Sequence, residues 1–195
     1  LAGDLVEEPS AAPAALPLLA GLGELSHVVA VTGNHEMYAG GEEHLARIQA
    51  AGIRLLRNET IELDDIRIAG VDDPEFLRDE GLSPEGAIDR VTEGVPADAP
   101  VVLVAHQPRA SAHAAARGVD LMLCGHTHGG QFPPFNLLVS VAFPTISGLY
   151  RIGTMDLLVG RGAGFWGPPF RVFADPEIPV AVLRAPSARR ATGNP

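Results

Sequence analysis

Cys124-Gly125-His126-Thr127-His128-Gly129-Gly130-Gln131 places two imidazoles one residue apart in a turn that three glycines make permissive. The apolar run Asp120–Cys124 before it reads as a buried strand. His126 and His128 therefore fall in the loop just past a strand's carboxyl end, where open α/β sheets place their ligands. At this spacing the two rings can face different ions or hold one ion from two sides, while the glycines allow backbone angles that a side chain would block. Two histidines so placed are the chemistry of a metal site. The plain alternative is a solvated His-rich turn.

Three other stretches repeat the arrangement. Leu1-Ala-Gly-Asp-Leu-Val-Glu7 reads as the tail of a strand with Asp4 as the carboxylate at its tip, where an Asx turn is the structural alternative. The β-branched run His27–Thr32 feeds into Gly33-Asn-His-Glu36, which offers the Asn34 amide oxygen as a ligand and the His35 imidazole for proton transfer. Val101–Ala105 is a fully apolar strand with His106 at its end. In a mostly parallel sheet such ends gather along one edge. One carboxylate, one amide and two or three imidazoles suit Mn, Fe, Zn or Co better than Ca or a soft metal.

The remaining composition narrows the class. The 195 residues are 46% hydrophobic and only 5% aromatic, so Val, Leu, Ile and Ala fill the core, as suits parallel strands between helices. A net charge of −10 argues against a nucleic-acid surface, which begins with clustered Lys and Arg. The single cysteine, Cys124, excludes an internal disulfide and reads as a buried reduced thiol. No apolar run is long enough for a membrane span, so the chain as given is expected to be soluble. Residues 1–184 read as one domain and 185–195 as a disordered tail.

Between these landmarks the pattern predicts helices over Ala14–Leu22, Glu42–Ala51, Arg109–Arg117 and from Ser83, its N-cap, to Thr92. It predicts a strand over Ile53–Leu56 and a hairpin of Thr60–Leu63 with Ile66–Gly70 about Asp64-Asp65. Later strands are expected at Met155–Val159, Phe170–Phe173 and Ile178–Leu183, with Pro- and Gly-rich loops between Gln131 and Met155 and again around Trp166, which is read as a lid or a core anchor. His44 and His113 read as exposed, and Asp72-Asp73 as solvated turn acids before Pro74.

Gly3-Asp4, Gly33-Asn-His-Glu36, His106 and Gly125-His-Thr-His128, in that order, resemble the calcineurin-like metallophosphoesterases. The pattern Gly-His-Thr-His-Gly-Gly-Gln, with Gly162–Pro169 and Pro176-Glu-Ile178, is similar to the bacterial membrane-associated branch. The resemblance implies an αββα sandwich and two divalent transition-metal ions (Mn, Fe, Zn or Co). One ion is then held by Asp4, Asn34, His106 and His126. The other takes Asp4, His128 and an Asp-x-His pair that does not occur in this sequence, so one site is expected to be incomplete and the fold N-terminally truncated, lacking its first βα segment. The family's Gly-Asp-x-x-Asp ends here in Glu7. The function implied is hydrolysis of a small-molecule or lipid phosphoester, a phosphodiester above all, with His35 as general acid. Membrane association would come only through an N-terminal segment outside this sequence. The competing reading is a non-catalytic metal-binding or interaction domain derived from the same fold.

Overall fold

The computed structural model describes residues 1–6, 8–24 and 26–184. Glu7 and the tail expected over 185–195 lie outside these described residues.

A six-stranded sheet forms the centre. Its strands are β3 (Glu59–Leu63), β4 (Ile66–Gly70), β5 (Val101–Val104), β6 (Leu121–Cys124), β7 (Gly148–Ile152) and β8 (Met155–Val159), ordered β3-β4-β5-β6-β8-β7. The inner four run parallel, and the outer two are hairpin partners. Leu63 pairs with Ile66, so the β3–β4 turn is Asp64-Asp65 with Asp64 in left-handed backbone, the conformation a two-residue hairpin requires. Beside this sheet lies a smaller parallel one of β1 (Val29–Ala30) and β2 (Arg54–Leu55).

Both faces of the large sheet are covered, which is why its parallel strands read as unbroken apolar runs. Leu103, Met122, Cys124, Leu157 and Val159 point to one face, against Ala87, Ile88 and Val91 of α5 (Pro84–Thr92) and Ala114 of α6 (Ser111–Ala116). Ile61, Ile68, Val104 and Leu123 point to the other, against Val29, Val31 and Leu56 around the small sheet. A Cβ on Gly70 would overlap Leu56, so this glycine lets the two sheets approach. The far side of the small sheet is closed by Leu16 and Leu19 of α1 (Ala12–Gly23) and by Leu45 and Ile48 of α3 (Glu42–Ala50). The layers are thus helix, sheet, sheet, helix, the αββα sandwich anticipated from the sequence.

Several expectations are corrected. His44 is buried, not exposed, because its Nε2 meets the Val6 carbonyl at 3.0 Å. His113 is only half exposed and lies 2.7 Å from Asp89. Asp72 and Asp73 are buried rather than solvated. Asp72 accepts from Thr32, Arg57 and Asn58, and Asp73 caps α4 (Pro74–Asp79) and accepts from Gln107. Phe170–Phe173 and Ile178–Leu183 form no ladder among the described residues. Between Gln131 and Met155, where loops were expected, the chain folds into helix α7 (Phe135–Ala142) and strand β7.

Candidate metal centre

The parallel register of β4, β5 and β6 brings their carboxyl ends level, with Gly70 beside Val104 and Val104 beside Leu123. The Thr32 hydroxyl, just past β1, donates to Asp72 and accepts from the Asp73 amide, tying the small sheet's end to the large sheet's end. His106 leaves β5 at this junction and is 2% exposed. Its Nδ1 lies 2.6 Å from the Ala2 carbonyl, which can only accept, so Nδ1 carries the hydrogen and Nε2 of the neutral ring offers a lone pair.

Around that Nε2 stand Asp4 Oδ2, Asn34 Oδ1 and His126 Nδ1, each at 3.1 Å. Each of these atoms can offer a lone pair. Lone pairs converging on one buried point repel unless a proton or a cation sits among them, and a divalent cation satisfies all of them at once. The ligating atoms of Asp4, His106 and His126 all lie within 4.8 Å of one another. The donor set therefore fits an O/N-liganded transition ion. His128 lines the same cleft but lies outside this cluster, its Nδ1 3.1 Å from the Arg171 guanidinium. Of the five residues expected to gather, four converge at one point and the fifth is paired with an arginine. His35 lines the cleft, and its backbone N–H donates to Asp4 Oδ1 at 3.0 Å.

Glu36 builds this geometry. It is the third residue of the short helix α2 (Asn34–Tyr38) and is fully buried. Its carboxylate accepts the backbone N–H groups of Gly33 (2.7 Å), Asp4 (2.9 Å), Leu5 (2.6 Å) and Val6 (3.4 Å). One side chain thus fixes both the loop that carries Asp4 and the turn that carries Asn34. A Cβ on Gly33 would overlap the Asp4 carboxylate. Asp4, His126 and His128 all adopt left-handed backbone, conformational strain concentrated where the ligands are.

The charge states follow. Burial opposes ionisation of Asp4, but hydrogen bonding and the charge of His106, with the His35 amide, outweigh it and hold the carboxyl below its ordinary range. Burial likewise opposes protonation of His106, yet Asp4, the Ala2 carbonyl and Asp73 raise its pKa. Burial and the neighbouring His106 push His126 down to about 3, and burial and Arg171 push His128 down to about 4. Both rings are therefore neutral at physiological pH, the His126 Nδ1 facing His106 and the His128 Nδ1 accepting from Arg171.

A cleft of about 540 Å3 opens above the cluster. Phe143 stands edge-on to His126, with ring centres 5.0 Å apart. Gln131, buried, accepts the Trp166 N–H and donates to the Trp166 carbonyl, pinning the distal loop to the histidine loop. Arg171 likewise donates to the carbonyls of His128, Arg161 and Ala174. Sequence reasoning missed Glu36, Gln131 and Arg171. Glu36 directly follows the Asn-His pair, and Gln131 closes the histidine motif, so both carried a positional signal; Arg171 carried none.

An αββα sandwich with a buried carboxylate–amide–imidazole cluster at its sheet ends defines an α/β protein with a candidate metal centre. The family model for the calcineurin-like phosphoesterases matches residues 1–130, and the chain belongs to that family. It is 38% identical over 150 residues to an uncharacterised metallophosphoesterase of Helicobacter pylori strain J99, covering 76% of this chain and 40% of that protein. It is 33% identical over 171 residues to a cattle (Bos taurus) transmembrane protein with a metallophosphoesterase domain, covering 80% of this chain and 38% of that one. Among solved structures, the sulfate thiohydrolase SoxB of Thermus thermophilus shares the fold with a TM-score of 0.55 at 16% identity, over 81% of this chain and 32% of that one. The chain thus spans about two fifths of the length of these curated relatives. No helix among the described residues is long and apolar enough to cross a membrane.

Proposed function

We propose that this chain is a metal-dependent phosphoesterase acting on phosphodiesters, with Asp4, Asn34, His106 and His126 as ligands of one divalent transition ion. The observation that carries this reading is the set of ligand atoms meeting at His106 Nε2 with the ring's Nδ1 hydrogen committed to Ala2. When bound, such an ion supplies a Lewis acid for a phosphoryl oxygen. His106 holds its ligating nitrogen in place through the Ala2 carbonyl, and Asp4 is oriented by the amides of His35 and, through Glu36, by its own backbone. His35, in the cleft beside Asn34, donates a proton to the leaving alkoxide. Asp4 and His128 would be the residues offered to a second ion, if His128 Nδ1 gave up its Arg171 contact. The likeness to a transmembrane protein carrying this domain supports a membrane-associated setting for the substrate.

The Arg171–His128 pairing favours a second reading, a metal-binding domain without turnover. Titration with Mn or Zn, followed by hydrolysis of bis-p-nitrophenyl phosphate, separates the two. Tight binding lost in Asp4→Asn, with metal-dependent hydrolysis, supports the enzyme; the same binding without hydrolysis supports the second reading. Wild-type and Asp4→Asn chains binding the metal equally would refute both.

A further inference from the structure

Helix α7, Phe135-Asn-Leu-Leu-Val-Ser-Val-Ala142, buries none of its residues, although all but Asn136 and Ser140 are apolar. An apolar helix left outside a core marks a binding surface. Its inner face, with Leu138, Val139 and Ala142, lines the cleft that opens onto His126 and His128. Trp166 closes the flank at the start of this helix: it stacks on Phe135 with ring centres 5.4 Å apart and is held at its backbone by Gln131. One end of the cleft therefore offers imidazoles and an amide, and the flank offers aliphatic and aromatic carbon.

Charge points the same way. In a chain of net charge −10, the only acidic residue between Leu121 and Ala174 is Asp156, which is paired with Arg151; Arg161 and Arg171 lie in the same stretch. The stretch that carries α7 and Trp166 thus adds no unpaired acid to the cleft, whose lining holds one carboxylate, the metal-facing Asp4. A purely polar phosphoester would leave the α7 wall wet, whereas one with a hydrocarbon tail would cover it. We propose that the cleft takes an amphipathic phosphoester, its phosphate toward His126 and His35 and its alkyl or acyl chain laid along α7 between Leu138 and Trp166. This substrate class rests on the phosphoesterase reading above.

Trp166, the chain's sole tryptophan, lines the cleft and reports binding without need of turnover. Butyl, hexyl, octyl and decyl phosphate, each below its micelle concentration, are titrated against the protein with and without Mn, and Trp166 emission is followed. The expected result is a blue shift with a Kd that falls about two- to fourfold per added CH2, the upper figure being that for full burial. Leu138→Asn, at a position 67% exposed and so outside the folded core, should flatten that dependence. A Kd independent of chain length, or octyl glucoside binding as well as octyl phosphate, would overturn the proposal. So would concentration-dependent dimerisation that shields Trp166 and is abolished by Leu138→Asn. Vesicles of phosphatidylglycerol identify the source of the chain: binding that needs the outward Leu137 and Val141 assigns a bilayer lipid, and monomer binding alone assigns a free amphiphile, both within the proposal. Chain-length-dependent binding with no metal-dependent hydrolysis would sink the catalytic reading alone, whereas hydrolysis of short esters with no chain-length effect would sink this one alone.

Discussion

Replacing Glu36 by glutamine changes one atom of a buried side chain, and the structure fixes what that atom touches. Oε2 accepts from Gly33 and Asp4, and Oε1 accepts from Leu5 and Val6. Glutamine keeps a single oxygen, which will settle on the Gly33 and Asp4 side, where both bonds are good. Its NH2 then faces the Leu5 and Val6 amides, donor against donor. The short Leu5 bond is lost outright and leaves a buried N–H unpaired, at about 1–3 kcal/mol. The two bonds retained fall from charge-assisted to neutral strength, roughly 1 kcal/mol each. The total is roughly 3–5 kcal/mol, which for a chain of this size lowers Tm by about 10 °C. The assay is urea and thermal unfolding followed by circular dichroism, with Mn titration of the folded variant. Because the Asp4 loop is released, metal affinity should fall in step with stability. A Glu36→Gln protein within 1 kcal/mol of wild type, binding metal as well, would refute the role given to this carboxylate.

Three further outcomes follow from the same geometry. Between pH 6.5 and 4 the unfolded chain takes up protons at positions 126 and 128 that the folded chain refuses, since the folded values lie at about 3 and 4. Stability of the metal-free protein should therefore fall as pH drops, by up to about 1.4 kcal/mol per unit per histidine, and His126→Gln should remove its share of that slope in denaturant melts across the range. His106 works in the opposite sense: its raised pKa stabilises the metal-free fold below about pH 6.5, a contribution lost as pH rises through the folded value, so metal binding near neutrality should release a proton measurable in buffers of different ionisation enthalpy. His35→Ala should lower kcat about 10²-fold or more for alkyl esters and little for nitrophenyl esters, whose leaving group needs no proton; equal losses would remove His35 from the acid role.

The parts of this fold legible in the sequence were those set by local pattern. Val101–Val104 and Leu121–Cys124 are apolar at every position because both sheet faces are covered, and Ser83 with Pro84 opens α5 through a side-chain cap to Gly86. Three of the four converging ligands were legible for a related reason: Asn34, His106 and His126 each follow a strand end, whereas Leu1–Asp4, expected as a strand tail, forms no ladder among the described residues and Asp4 is held instead by Glu36 and the His35 amide. What was not legible depended on partners distant in sequence. His44 is buried by a carbonyl 38 residues away, and Asp72 by Arg57 and Thr32, so neither could be told from a solvated residue by its neighbours. α7 keeps apolar residues at helical spacing (Phe135, Leu138, Val139, Ala142), but the run is eight residues long between Pro134 and Pro144, and its Pro- and Gly-rich flanks read as loop. Ile178–Leu183 has the composition of a strand, but composition alone supplies no ladder.

The central claim is that His106 and His126 share one cation with Asp4 and Asn34. X-ray absorption at the zinc edge, on the chain loaded with one equivalent of Zn, reads the ligands directly. The account predicts N/O scatterers at about 2.0–2.1 Å with the outer-shell signature of two imidazoles, reduced to one in His106→Ala. A shell of oxygens without imidazole scattering, unchanged by that substitution, would contradict it.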